Sequence, residues 1–282
     1  MEDLWRAYYA AIFNPARTNV DLLLQHMPAR RWSNLPEAQL IQELAFESGS
    51  RERGMIQKKP ISAAEFIPEG ATLPVLREAV QACRACELWE CATQAVFGEG
   101  PAGAGIAFVG EQPGDNEDRE GRPFVGPAGQ LFDMALADAG LSRPEVYVTG
   151  AVRHFRFEER GKRRIHKTAS RAQVAACQPW LEAELALVRP KVIVCMGNTA
   201  VLSVIGRGVR LMEERGTVNP HRSAGGVLIT VHPGFLLRMP DEKRKASEYE
   251  RFVEDIKTAR TFAEAQRTPP LPYRLDRAST AK

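Results

Sequence analysis

No segment of the chain has the length and apolarity of a membrane span. The N-terminus also lacks the ordered charged, apolar and small-residue regions of a secretory leader. The expectation is a cytoplasmic protein without a membrane partner. Cysteine is scarce: Cys83, Cys86, Cys91, Cys177 and Cys195 are the only five among 282 residues. In a reducing compartment they read as metal ligands or buried thiols, not as a disulfide framework. Internal repeats are absent, and so is the paired C-x-x-C pattern of a zinc ribbon. Net charge is only +3, so overall charge does not mark a nucleic-acid binder. What the chain does have is 44% apolar residues, enough to close a large core.

Apolar periodicity divides the chain. Trp5, Tyr8, Tyr9, Ile12 and Phe13 fall at helical spacing, and Asn34-Leu35-Pro36-Glu37 reads as a helix start, so residues 1–46 are expected to be helical. Residues 47–73, rich in charge, proline and glycine, read as a linker. From about residue 74 the pattern alternates. Gly105–Val109, Val146–Thr149, Val192–Cys195 and Val227–Val231 are short β-branched runs, separated by helical stretches near 127–139, 171–188 and 198–205 and followed by one over 241–264. Apolar strands alternating with helices predict an α/β fold, a parallel sheet covered on both faces.

Strand polarity then places the polar motifs. Ligands of such sheets bind beyond the strands' carboxyl ends. Glu111-Gln112 follows the first run, Gly150 and a basic segment the second, Met196-Gly197-Asn198 the third and His232-Pro233-Gly234 the fourth. The basic segment, residues 153–171, carries eight Lys and Arg against Glu158 and Glu159 and contains Lys162-Arg163-Arg164-Ile165-His166. Such a segment can neutralise phosphates, although a charge run alone is usually a solvated surface. A His-Pro at a strand end is usually structural as well; its place on the ligand edge favours function.

Cys83-Arg84-Ala85-Cys86 lets two thiolates share one centre, and Cys177 and Cys195 lie downstream. Four thiolates would suit zinc or an iron–sulfur cluster. Buried, inert thiols are the plain alternative.

Together these residues resemble the uracil-DNA glycosylase superfamily, and more narrowly UdgX, the iron–sulfur relative of the family 4 enzymes. The resemblance is carried by Cys83-x-x-Cys86, by 92–98 (ATQAVFG), 110–115 (GEQPGD), 121–129 (GRPFVGPAG) and 162–166 (KRRIH), and by His232-Pro233. It covers roughly residues 74–265, and the KRRIH segment is its specific part. Residues 1–46, with 12–17 (IFNPAR), resemble the end of a DNA-repair domain sometimes fused ahead of UdgX; 266–282 would be a tail. The resemblance implies a three-layer α/β/α fold with a four-stranded parallel sheet. It also implies a [4Fe-4S] cluster on Cys83, Cys86, Cys177 and Cys195, and a monomer acting on uracil-containing DNA, single-stranded by preference.

It also implies roles. Glu111, His166 and His232 would be catalytic: His166 attacks the sugar and stays joined to it, Glu111 orients it or takes its proton, and His232 donates to the departing uracil. Gln112, Asp115, Phe124, Gly150 and Arg164 would meet the substrate, with Phe124 stacking on the base and Arg164 also holding its own loop. Lys162, Arg163 and Arg238 would bind DNA. One position departs from the family. Its second strand usually ends in Thr-Asn, whose amide reads the uracil edge, and here the sequence is Thr149-Gly150. Two alternatives stay in play: a conventional turnover glycosylase and, because of that departure, a non-catalytic module that binds damaged DNA.

Overall fold

The computed structural model describes residues 62–161 and 163–266. They belong to one unit of the chain. The helical reading of residues 1–46, most of the 47–73 linker, Lys162 and the tail beyond Gln266 lie outside the described residues.

Among the described residues, seven strands and the helices between them follow in chain order. Helix α1 (Leu73–Ala79) precedes β1 (Ile106–Gly110), α2 (Asp115–Glu120), α3 (Pro127–Asp138) and β2 (Tyr147–Gly150). Then come β3 (Phe157–Arg160), β4 (Arg163–His166), α4 (Arg171–Val188), β5 (Val192–Met196) and α5 (Asn198–Ile205). The last elements are α6 (Leu211–Glu214), β6 (Val218–His221), β7 (Ala224–Thr230), α7 (Pro233–Leu237) and α8 (Glu242–Ala265).

The central sheet has the order β2-β1-β5-β7-β6. Its first four strands are parallel and are the four read from the β-branched runs. A fifth, β6, adds antiparallel to the outer edge, so the sheet is mixed. Strand alternation builds the layers. Phe108, Val194, Met196 and Leu228 face α3, α7 and α8 through Phe132, Leu236, Phe252 and Ile256. Ala107, Val109, Ile193 and Ile229 face α4 and α5 through Leu181, Leu185, Ala200 and Val201.

Two regions differ from the sequence reading. Residues 63–66, assigned to the linker, form a 3-10 turn whose Ala63 is fully buried beside Leu76, Val80 and Trp180. The basic segment is an antiparallel hairpin, β3–β4, in which Phe157 pairs with His166 and Arg160 with Arg163. Gly161 turns it, with φ of 61°, a conformation that glycine adopts without strain.

Candidate active site at the carboxyl edge of the sheet

The carboxyl ends of β1 and β2, the hairpin and the start of α7 enclose a cleft of about 820 Å³. Glu111, Gln112, Asp115, Phe124, Gly150, His166, His232 and Arg238 all line it. A second cleft of about 610 Å³, around Leu185, Arg189 and Ser203, contains none of them.

Glu111 and Gln112 leave β1 as it ends. Neither Glu111 Oε1 nor Gln112 Oε1 has a hydrogen-bond partner, though both are buried. Gln112 Nε2 is fully engaged. It donates to the carbonyls of Arg156 (3.1 Å) and Lys167 (3.0 Å) and lies 3.0 Å from His166 Nε2. The sequence reading gave Gln112 to the substrate; in this geometry its amide nitrogen grips the two ends of the hairpin.

His166 ends β4 at the cleft rim, 6.0 Å between ring centroids from Phe155. Partial burial of the ring pulls its pKa below the usual histidine value; the Glu111 carboxylate opposes that shift, while Arg238 adds to it. His232 is the N-cap of α7, and its Nδ1 accepts the Gly234 N–H at 3.1 Å. Burial, reinforced by Arg238 and His166, pushes its pKa down to about 4. At neutral pH it is therefore an uncharged imidazole. With Nδ1 engaged as an acceptor, its proton sits on Nε2.

Phe124 packs against His232 and Phe132, with ring centroids 5.8 Å and 5.4 Å away. Its backbone is left-handed (φ 56°), and two glycines leave room for it. A Cβ on Gly129 would fall 1.8 Å from the Phe124 carbonyl oxygen, and one on Gly110 would fall 2.6 Å from its ring. Glu117 pins the same loop, accepting from Gly114 N (3.0 Å) and Gly126 N (2.7 Å). Gly150, paired with Gly110 across β1 and β2, opens onto the cleft. A Cβ there would meet Val152 O at 3.2 Å and Glu111 O at 3.5 Å, tight but nearly accommodated.

The basic segment is not one charged surface. Arg153 is wholly buried and pairs with Glu184 at 3.2 Å, with Thr149 Oγ1 bonded to both side chains. Arg164 donates to Asp115 and Asp118 and lies over the rings of Phe155 and Phe157, at 5.4 and 5.0 Å. The Arg164 guanidinium, expected to hold this segment as well as to meet the substrate, does bind the hairpin to α2, and one of its partners is the Asp115 carboxylate, read from the sequence as a substrate contact. Although burial alone would raise it, hydrogen bonds from Arg119 and Arg164 keep the Asp115 pKa low. Lys167 pairs with Glu158 at 2.5 Å. Arg163 and Arg238 remain exposed to solvent, free to meet a polyanion.

Cys83 and Cys177 share one core cluster, with Cys86 packed against it. The Arg153 N–H donates to Cys177 Sγ at 3.3 Å. Burial pushes the Cys177 thiol up to about 12, and Cys86 and Cys83 add to the shift. Cys195 is elsewhere, in the core between β5 and helices α4 and α5, and burial alone raises its thiol. The four-thiolate expectation therefore meets three thiols in one place. His154, unremarked in the sequence, is buried next to this set: Val152 packs in the same cluster, and the Arg84 guanidinium acts on its ring. Among the described residues no three His, Cys, Asp or Glu converge to hold a single metal ion.

Sequence reasoning also missed Glu117 and Asp118. Glu117 had a signal, the helix start after Gly114, where a carboxylate three residues on accepts from the cap N–H; Asp118, which accepts from Thr93 and Arg164, had none.

The profile of the uracil DNA glycosylase superfamily matches residues 97–257, and a domain of unknown function (DUF4130) matches residues 1–37. A type-4 uracil-DNA glycosylase of Thermotoga maritima is 37% identical over 194 residues, 67% of this chain and 94% of that protein. The type-4 uracil-DNA glycosylase of Sulfurisphaera tokodaii is 39% identical over 128 residues, 45% of this chain and 55% of its own. That of Pyrobaculum aerophilum is 35% identical over 175 residues, covering 60% and 86%.

Proposed function

The chain belongs to the uracil-DNA glycosylase superfamily, and on that basis we propose that it excises uracil from DNA and ends covalently joined to the sugar through His166. One observation carries the covalent part. The β3–β4 hairpin, held by Arg164 and Gln112, delivers an imidazole of lowered pKa to the cleft that holds Glu111 and His232.

The chemistry follows from these positions. A base must leave the stack to be reached, and an unpaired strand spares that cost, which favours single-stranded DNA. Phe124 offers the flipped base an aromatic face. As the C1′–N1 bond breaks, its electron pair departs with the uracil, whose carbonyl oxygen gains charge. The Nε2–H of neutral His232 donates to that oxygen. The Glu111 carboxylate stabilises the cationic sugar. A lone pair of the His166 imidazole then bonds to C1′, and the proton left on the resulting imidazolium passes to Glu111 or to water. Arg163 and Arg238, both exposed, would bind phosphate, and Lys162 would join them.

An iron–sulfur cluster would be held by Cys83, Cys86 and Cys177, whose soft donors fit it, with the fourth ligand supplied by His154 or Cys195. Bound there, it would brace the residues before β1 against the start of α4. The residues of the cleft carry out the base excision.

Gly150 favours a second reading. Without the edge-reading amide, the chain would bind damaged DNA without cutting the glycosidic bond. Incubation with a uracil-containing single strand, followed by a denaturing gel and quantification of free uracil, separates the readings. The covalent reading expects an SDS-resistant adduct and one uracil per protein. Uracil in large excess over protein supports turnover, and binding with neither product supports the second reading.

A further inference from the structure

Phe124 holds a backbone conformation that residues with a side chain avoid, with φ of 56°. Such a conformation persists only where its surroundings impose it. On the far side of Phe124 two restraints are present. Gly129 leaves room for the Phe124 carbonyl, and Glu117 accepts the Gly126 N–H. On the near side the restraint is Arg143.

Arg143 stands on a stiff base. It opens a 3-10 turn, Arg143–Glu145, that leads into β2. Pro144 fixes the backbone of that turn, and Glu145 caps it by accepting the Ser142 N–H at 2.7 Å. From there the side chain crosses to the Phe124 loop. Its Nη2 donates to the Pro123 carbonyl at 2.5 Å, and its Nη1 donates to Asp133 Oδ1 of α3 at 2.8 Å. The guanidinium carbon lies 6.0 Å from the Phe124 ring centroid and 5.6 Å from that of Phe132. The Asp133 side chain is 50% exposed, so that ion pair alone contributes little; it aims the guanidinium. The carbonyl and the two rings are what the planar cation then holds.

Pro123 and Phe124 line the cleft, whereas Arg143 lies outside it. We propose that Arg143 is a positioning residue: it clamps the Pro123 carbonyl and the Phe124 and Phe132 rings, and so keeps the Phe124 ring oriented for a flipped pyrimidine to stack on it. This rests on Phe124 being the stacking residue of the excision reaction. Arg143 reaches the base only through that ring and its loop, so its loss slows excision without removing a contact to DNA.

The test reads the ring and the reaction separately. The chain has twelve phenylalanines. ¹H–¹³C spectra of the full protein carrying ring-¹³C phenylalanine report each ring without adding an atom, and Phe124→Leu identifies the Phe124 signal. In the wild type that signal is expected to be displaced from the free-ring value by the neighbouring His232 and Phe132 rings. Arg143→Met keeps the side chain's length but has neither charge nor N–H. It is expected to move the signal toward the free-ring value and to slow uracil release at saturating single strand about tenfold. Arg143→Lys keeps a cation and a donor and should recover part of both. Far-UV circular dichroism and urea unfolding identify the folded variants. A Phe124 signal or a release rate unchanged in folded Arg143→Met overturns the proposal, and so does a lysine variant no better than the methionine one. Should Arg143→Met not fold, the lysine variant is judged alone, and a wild-type signal and rate in it overturn the proposal. If the wild type releases no uracil, the excision reading fails separately, and the Phe124 signal still decides what Arg143 holds.

Discussion

Arg164 Nη1 lies 2.6 Å from Asp118 Oδ2, in a pair whose side chains are 14% and 0% exposed. Asp118 also accepts from Thr93 N (2.9 Å) and Thr93 Oγ1 (2.6 Å). One buried carboxylate thereby ties the hairpin to α2 and to the segment before β1. Asp118→Ala would strand three donors. It is expected to cost about 2–3 kcal/mol, since breaking a buried charged pair costs several kcal/mol and Asp115 still serves Arg164. Urea unfolding measures the loss. Adduct yield should fall with it, because His166 shares the strand with Arg164; unchanged stability would show that the pair is not a brace.

Much of this architecture was legible. The four parallel strands and four of the helices follow the apolar runs, because a strand buried on both faces must be apolar along its length. The hairpin was not legible. Glu158, Glu159, Arg160, Arg163 and Arg164 give it no apolar face to alternate, and its order comes from Arg164, Phe155 and Phe157. β6 was missed for a related reason: Val218-Asn219-Pro220-His221 is a short edge strand containing a proline, which edges tolerate and central strands do not. In the site, polarity placed Glu111, Gly150 and His232 on one edge. The loop-holding role of Arg164 came with the resemblance, but the partners of Gln112 and Asp115 lie tens of residues away, which spacing does not reveal.

Gly150→Asn tests the missing edge reader. The backbone must yield a few tenths of an ångström at Val152 O, a small adjustment. Uracil excision is expected to rise by at least tenfold, since polar readout of a base is worth that much or more. A rate that does not rise would show that the cleft recognises its base without this position.

His232 makes the fold sensitive to acid. Its pKa of about 4 lies below the ordinary histidine value near 6.5, so between those values the unfolded chain binds a proton that the folded chain refuses. Stability from this group is complete above pH 6.5 and is lost as pH falls toward 4. The slope is at most about 1.4 kcal/mol per pH unit, less where solvent reaches the ring. Urea titrations at pH 7 and 5.5 should show the decline, and His232→Asn should lessen it, leaving the share of His154, whose pKa burial also pushes down to about 4. An equal slope in both proteins would remove His232 as the cause.

Cysteine substitutions sort the cluster ligands. Cys177→Ala is expected to lose iron and acid-labile sulfide. Cys195→Ala should retain both, because burial alone acts on that thiol and its layer of the core differs. His154→Ala would then lower iron content. Loss of iron from Cys195→Ala with His154→Ala unaffected would restore the four-thiolate arrangement.

The central claim is that His166 becomes bonded to the sugar, and mapping the adduct tests it most directly. After reaction with a uracil-containing single strand and digestion of both partners, tandem mass spectrometry should find the sugar remnant on the imidazole of His166 and nowhere else. A remnant on another residue, or a peptide spanning His166 that is wholly unmodified while uracil has been released, would contradict the account.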